Sequence, residues 1–317
     1  MVLWRLGVVA ASKSGASGPA GYYGGGVTAS GPDTSNVNKM PFSTDTFKSL
    51  TSLPTTVRRR GAASSLTNNY FSTSPTEASK YSIATDVKTD IPAAFPAPSS
   101  APSGFATGFS PTNAYFSGGF IPGPGPWGPD GGPGTNVIAK FTFSSETGSR
   151  IPQTLPTNNR EQRGTSSPTH AYVFGGFTSP STSTTLTNKI AFSTDAVSTI
   201  PAGMSVGRNA AGAWSSPTHA YVGGGDGLPN DETPQPSINK FSFADDSRST
   251  LPITTAKKYV GMFFNSTHGY LLGGQEGYPG TTVATVQKIA TTTDTSSISP
   301  TNIPTAIHWH SGTALPL

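Results

Sequence analysis

Three short motifs recur in the same order six times along the chain, and this repetition limits the fold more than any other property. Ser-Pro-Thr-His-Ala-Tyr-Val stands at 167–173 and again at 216–222, with Ser-Pro-Thr-Asn-Ala-Tyr-Phe at 110–116 and Ser-Thr-His-Gly-Tyr-Leu at 266–271 as close relatives. A glycine pair follows the tyrosine: Tyr22 with Gly25-Gly26, Tyr115 with Gly118-Gly119, Tyr172 with Gly175-Gly176, Tyr221 with Gly224-Gly225 and Tyr270 with Gly273-Gly274. One further unit keeps Tyr70 and lacks the pair. The tyrosines at 22, 70, 115, 172, 221 and 270 lie 48, 45, 57, 49 and 49 residues apart. A second motif, typified by Asn-Lys-Ile-Ala-Phe-Ser-Thr-Asp at 188–195, trails each tyrosine, and a Leu-Pro or Ile-Pro step follows it.

Each unit reads as four strands. The first is built of small residues, as in Gly61-Ala62-Ala63-Ser64 and Ala210-Ala211-Gly212-Ala213. The second carries the tyrosine and ends at Gly-Gly. The third alternates polar and apolar residues, the signature of a half-buried strand. The fourth ends at Ile-Pro, where proline stops ladder pairing. Phe-Ser-Thr-Asp between the third and fourth strands reads as a tight turn in which Asp caps backbone amides.

A unit of this size cannot bury both of its faces, so the copies must stack. Radial stacking makes a β-propeller, with small residues crowded at the axis. The order of small strand, aromatic strand ending in Gly-Gly, alternating strand and Leu/Ile-Pro resembles the kelch repeat. That resemblance spans the whole chain and implies an all-β, six-bladed propeller forming one domain over 1–317. It departs from the kelch pattern in lacking the fourth-strand tryptophan. Its Ser/Thr-rich, weakly charged texture is similar to kelch-like virion or appendage proteins of tailed bacteriophages of aquatic hosts.

The ends of the chain supply one strand too many. Arg5–Ser12 reads as the first strand of the first blade, yet residues 305–315 align with 55–65, which lead into the first strand of the second blade. Segments 1–12 and 305–317 are therefore the elements that close the ring or pair with a neighbouring subunit. Trp4, Arg5, Val8, Ile307, Trp309 and Leu315 are the candidate subunit contacts. The apolar stretch Leu6–Ala11 is shorter than the core of a signal peptide and is read as part of that strand.

Composition narrows the chemistry. With 37 Gly, 29 Pro and only 11% charged residues, the chain is unsuited to a helical bundle, while 17 Phe, 10 Tyr and 4 Trp suffice for a core. No apolar run approaches the roughly 20 residues of a membrane-spanning helix, and no membrane insertion is expected. The charge of +4 is mild, with Arg58-Arg59-Arg60 and Lys257-Lys258 as the cationic runs, so nucleic acid is not an expected partner. Zero Cys excludes thiol catalysis, Cys-ligated zinc and the Cys–Tyr cofactor of kelch-type copper oxidases. His170, His219 and His268 fall at one turn position in successive units and so are expected apart around a ring, as turn residues; no metal or cofactor site is expected. No Gly-x-Ser-x-Gly elbow occurs, and no enzyme activity is expected.

Binding remains. The loops after each glycine pair are long and Gly/Pro-rich, and Phe120, Trp127, Phe177, Asp226 and Gln275 are the candidate contact residues on them. Trp127, in a proline-stiffened loop, is suited either to stacking on a sugar or a protein partner or to packing on its own blade. The expectation is a non-catalytic structural or adhesive protein of a virion or extracellular appendage. It would assemble with itself through its terminal strands and contact a host surface glycan or other virion proteins. A monomeric carbohydrate- or protein-binding propeller is the alternative.

Overall fold

The computed structural model describes residues 19–57, 61–74, 76–95, 106–120, 134–178, 182–227, 231–309 and 311–314. Strand alternation sets the architecture. In Thr187–Ala191, Ile190 is fully buried while Lys189 and Ala191 are only partly covered, so one face of the strand belongs to the space between sheets. Six such four-stranded antiparallel sheets form the blades of a β-propeller, and no helix occurs among the described residues. The fourth blade shows the common plan, running from axis to rim as Arg163–Ser166, His170–Phe174, Thr187–Ala191 and Val197–Thr199. The fold expected from the repeats is the fold observed.

The inner strands are Ala62–Ser64, Ala106–Phe109, Arg163–Ser166, Gly212–Ser215, Gly261–Phe264 and Ser311–Ala314. Each touches the next, and Ser311–Ala314 touches both Gly261–Phe264 and Ala62–Ser64, so the ring is closed. The first blade is assembled from both ends of the described chain. Ser311–Ala314 pairs with Ala20–Gly24, followed by Val37–Pro41 and Lys48–Leu50. The inner place expected for Arg5–Ser12 is thus held by the C-terminal strand; Trp4, Arg5, Val8 and Leu315 lie outside the described residues. Only glycine fits at position 312 of this strand, because a Cβ there would stand 2.0 Å from the Met262 carbonyl oxygen.

The first and second motifs act between blades. The tyrosine and lysine of one blade reach the acid in the Phe-Ser-Thr-Asp turn of the next, except that Tyr221 donates to the Thr291 carbonyl while Lys240 meets Asp294. Tyr115 Oη donates to Asp195 at 2.6 Å and Lys140 Nζ to the same carboxylate at 2.9 Å. Lys39 meets Asp86 at 2.7 Å, Lys80 pairs with Glu146, Lys189 with Asp246, and Lys240 with Asp294 at 2.7 Å. Lys288 meets Asp45 at 2.8 Å and carries the chain of pairs from the last blade back to the first. The expected role of this Asp, capping the amides of its own turn, is corrected: the residue adopts a left-handed conformation that turns its carboxylate toward the preceding blade. Burial, then the adjacent carboxylate, holds the Tyr22 and Tyr172 phenols far above their usual range, so they remain donors. The phenylalanine of the same turn stacks on the same tyrosine, as in Phe143 on Tyr70 and Phe192 on Tyr115. In the last blade Thr291 replaces that ring, and Trp214 stacks on Tyr221 instead, in space that Gly269 leaves open.

The glycine pair is a second inter-blade joint. The N–H groups of Gly26, Gly119, Gly176, Gly225 and Gly274 donate to the carbonyls of Val57, Asn159, Arg208, Lys257 and Ile307, each just ahead of the next blade's inner strand. Glycine is required at Gly224, which has φ +67° and where a Cβ would meet the Lys257 carbonyl oxygen at 2.3 Å.

Candidate binding face

The segments that enter the inner strands and the loops that leave the second strands emerge on one face around the axis. Short ladders tie them together. Arg160 bridges Phe177, Asn209 bridges Asp226 and Lys258 bridges Gln275, while Val27–Thr28 pairs with Ile307–His308. One residue past each bridge the backbone is left-handed, at Glu161, Ala210, Tyr259 and Trp309, with φ between 52° and 56°. These four residues are linked in rotation. The Glu161 carbonyl accepts from the Ala210 N–H at 3.1 Å, the Ala210 carbonyl from Tyr259 at 2.8 Å and the Tyr259 carbonyl from Trp309 at 2.8 Å. A rosette of backbone hydrogen bonds therefore rims the axis, and its side chains are those of four different blades.

Tyr259 and Trp309 stand edge to face on this rim, with ring centroids 4.7 Å apart, and both are partly exposed. His308 lies 4.8 Å from Trp309, and its Nδ1 is 3.1 Å from the Thr282 hydroxyl. Beside them Lys258 pairs with Asp226 at 3.2 Å and sits over the Tyr259 ring at 5.3 Å. Burial pushes the Asp226 carboxyl up to about 6, with Lys258 and Tyr259 pulling it back and the Glu161 carboxylate adding to the rise. Hairpins of the last three blades surround this centre. That of the last blade, Gln275–Glu276 with Thr281–Thr282, carries Tyr278, which is 67% exposed.

The loop candidates occupy the bases of these loops. Phe120 is buried and Phe177 half-buried, and the Arg160 guanidinium lies 5.1 Å from one ring and 5.5 Å from the other. Asp226 is only 5% exposed, and Gln275 is half-buried beside Lys258. Ile307, a candidate subunit contact, is packed inside the molecule with Tyr23 and Phe263, and Trp309 belongs to the rosette. Trp127 and Arg58-Arg59-Arg60 lie outside the described residues. Lys257 and Lys258 are buried and paired with Glu276 and Asp226, so the second cationic run does not form an exposed patch. Reading the sequence alone misses Glu161 and Tyr259. The signal that could have found them is their alignment with Trp309, ahead of the small strand.

The opposite face is made of the Ser-Pro-Thr-His turns. Ser167 Oγ accepts from the N–H groups of Thr169 and His170, and the Thr169 hydroxyl lies 2.8 Å from His170 Nδ1. His219 and His268 repeat this geometry, each ring packing against its own strand's tyrosine. They sit in separate blades, and among the described residues no group of three His, Cys, Asp or Glu side chains is placed to hold a metal ion. Burial, then the neighbouring lysine, holds all three imidazoles below their usual value. The unfolded chain therefore binds more protons as pH falls through about 6.5, and stability should drop below that point. Thermal melts from pH 7.5 to 5 should show this loss in the wild type, and a smaller loss in a His170→Gln/His219→Gln/His268→Gln variant. Parallel curves would assign the pH dependence to other groups.

Fold and face together define a six-bladed β-propeller suited to a binding or structural role. Comparison with protein-family models and with curated proteins returns no match. The likeness to kelch repeats therefore rests on the motifs in the sequence itself.

Proposed function

We propose that this propeller is a non-catalytic structural or adhesive component of a virion or extracellular appendage, assembling with copies of itself by exchange of terminal strands. The observation that carries the reading is the makeup of the first blade, whose inner strand comes from the far end of the chain. Any contact made by Ser311–Ala314 on Ala20–Gly24 within one molecule can be made between two, in the same register. The texture shared with phage appendage proteins supports the location. The acidic residues of the turn motif support a structural role, since Asp45, Asp86, Glu146, Asp195, Asp246 and Asp294 are all engaged between blades.

Light scattering and negative-stain microscopy on the purified chain test the assembly. Rods or discrete oligomers are expected, and a monomer at every concentration would overturn it. Immunogold labelling tests the location, with label on particles or appendages expected; label confined to the cell interior would refute that part. The second reading, a monomeric carbohydrate- or protein-binding module, is favoured by the same strand completing the ring of its own chain.

A further inference from the structure

We propose that Lys258 and Asp226 condense to an amide cross-link, formed by the folded chain itself, that ties the fifth blade to the sixth. The proposal goes beyond the assembly role and holds whether the chain polymerises or stays single.

Three ionisable side chains from three blades converge here. Asp226 leaves the second strand of the fifth blade, and Lys258 leads into Gly261–Phe264, the inner strand of the sixth. Backbone hydrogen bonds hold both in place, Asp226 exchanging them with Asn209 and Lys258 with Gln275. Glu161 comes from the fourth blade, its carbonyl bonded to the N–H of Ala210, the residue after Asn209. The corner is closed to water: the Lys258 and Asp226 side chains are 4% and 7% exposed, and Glu161 is 6% exposed.

The contact is close without being a hydrogen bond. Lys258 Nζ lies 3.2 Å from Asp226 Oδ1, a separation at which oriented groups react. Lys39, Lys140, Lys240 and Lys288 all donate aligned hydrogen bonds to their acids, whereas Asp226 Oδ1 accepts none. Burial also raises the Asp226 carboxyl, so its protonated and electrophilic form is within reach at neutral pH.

Two buried charges disappear when the ammonium gives a proton to the carboxylate, leaving an amine and an acid. The amine nitrogen then bonds to Cγ of Asp226. Glu161 takes a second proton from that nitrogen and returns it to the departing hydroxyl as the C–O bond breaks. One amide and one water result, nothing is oxidised or reduced, and Glu161 is regenerated. In a chain with 0 Cys, which has no disulfide available, this link would be a covalent brace between blades.

Mass spectrometry of the denatured full chain tests the link. The mass should fall below that of the sequence by one water, and trypsin should release fragment 209–240 joined to fragment 258–288. Lys258→Met and Asp226→Ala should each restore the full mass, and Glu161→Gln should leave most chains unlinked. The wild-type mass and fragments decide by themselves should a variant fail to fold. A wild type at the full sequence mass, a water lost only as a succinimide at Asp226-Gly227, or a link between other residues would overturn the proposal. Complete linkage in Glu161→Gln would overturn the part given to that acid. Every one of these readings is made on unfolded single chains, so failure here leaves the assembly reading to its own test.

Discussion

Removing residues 311–317 should abolish the cooperative fold rather than trim it. The lost strand is the inner strand of the first blade, and without it Ala20–Gly24 faces the axis with an unpaired edge. Contacts to Gly261–Phe264 and to Ala62–Ser64 go with it, as does the 2.6 Å bond between the Ser64 and Thr313 hydroxyls. The inner ring is opened at that point, and the inner strands on either side lose a neighbour. The expected loss is a large fraction of the roughly 5–15 kcal/mol that holds a domain together. Urea unfolding followed by circular dichroism should show a broad transition at low denaturant, and a synthetic peptide of residues 303–317 should restore part of it. A truncated chain with the midpoint of the full one would mean that the strand does not close the ring.

Asp86→Ala should be the most damaging change among the six turn acids. Its lysine partner, Lys39, has a side chain only 1% exposed, and Asp86 itself is 18% exposed and also accepts from Tyr22 and Lys48. Taking away the carboxylate removes the 2.7 Å counter-charge of an almost fully buried ammonium group, which costs about 3–5 kcal/mol. Asp45→Ala removes the equivalent acid from Lys288, where both side chains are 25% exposed, and water can solvate what remains. A loss near 1 kcal/mol is expected there. Urea midpoints of the two variants should therefore differ clearly, and Lys39→Met placed on Asp86→Ala should recover part of the stability. Equal losses would show that the pairs contribute without regard to burial.

Blade number, strand order and the glycine corners were legible in the sequence because each depends on residue type at a fixed period. Tyr172, Lys189 and Gly175-Gly176 announce themselves by recurring. What recurrence cannot show is the blade in which a side chain finds its partner. Lys189 and Asp195 lie in one copy of the motif, yet Lys189 bonds Asp246 and Asp195 receives Lys140. Within a single unit the acid has only its own turn to cap; its partners lie in the preceding blade. The rim was hidden for another reason. Glu161, Ala210, Tyr259 and Trp309 share a backbone conformation and no side-chain chemistry, so no pattern of residue types marks them. The surplus strand could be recognised by alignment, but the choice between its own ring and a neighbour's depends on distance in space.

The carboxylate joints all run the same way round, each blade holding out an acid to the one before and a tyrosine–lysine socket to the one after. Any internal blade can consequently be copied or excised as a continuous stretch of gene, since both of its new neighbours present the fittings it expects. The first blade is the exception, being built from two segments far apart in the sequence, Ala20–Leu50 and Ser311–Ala314. Growth or shrinkage of the ring over evolutionary time would thus be channelled into the stretch between the two halves of the first blade, which are kept as a matched clasp.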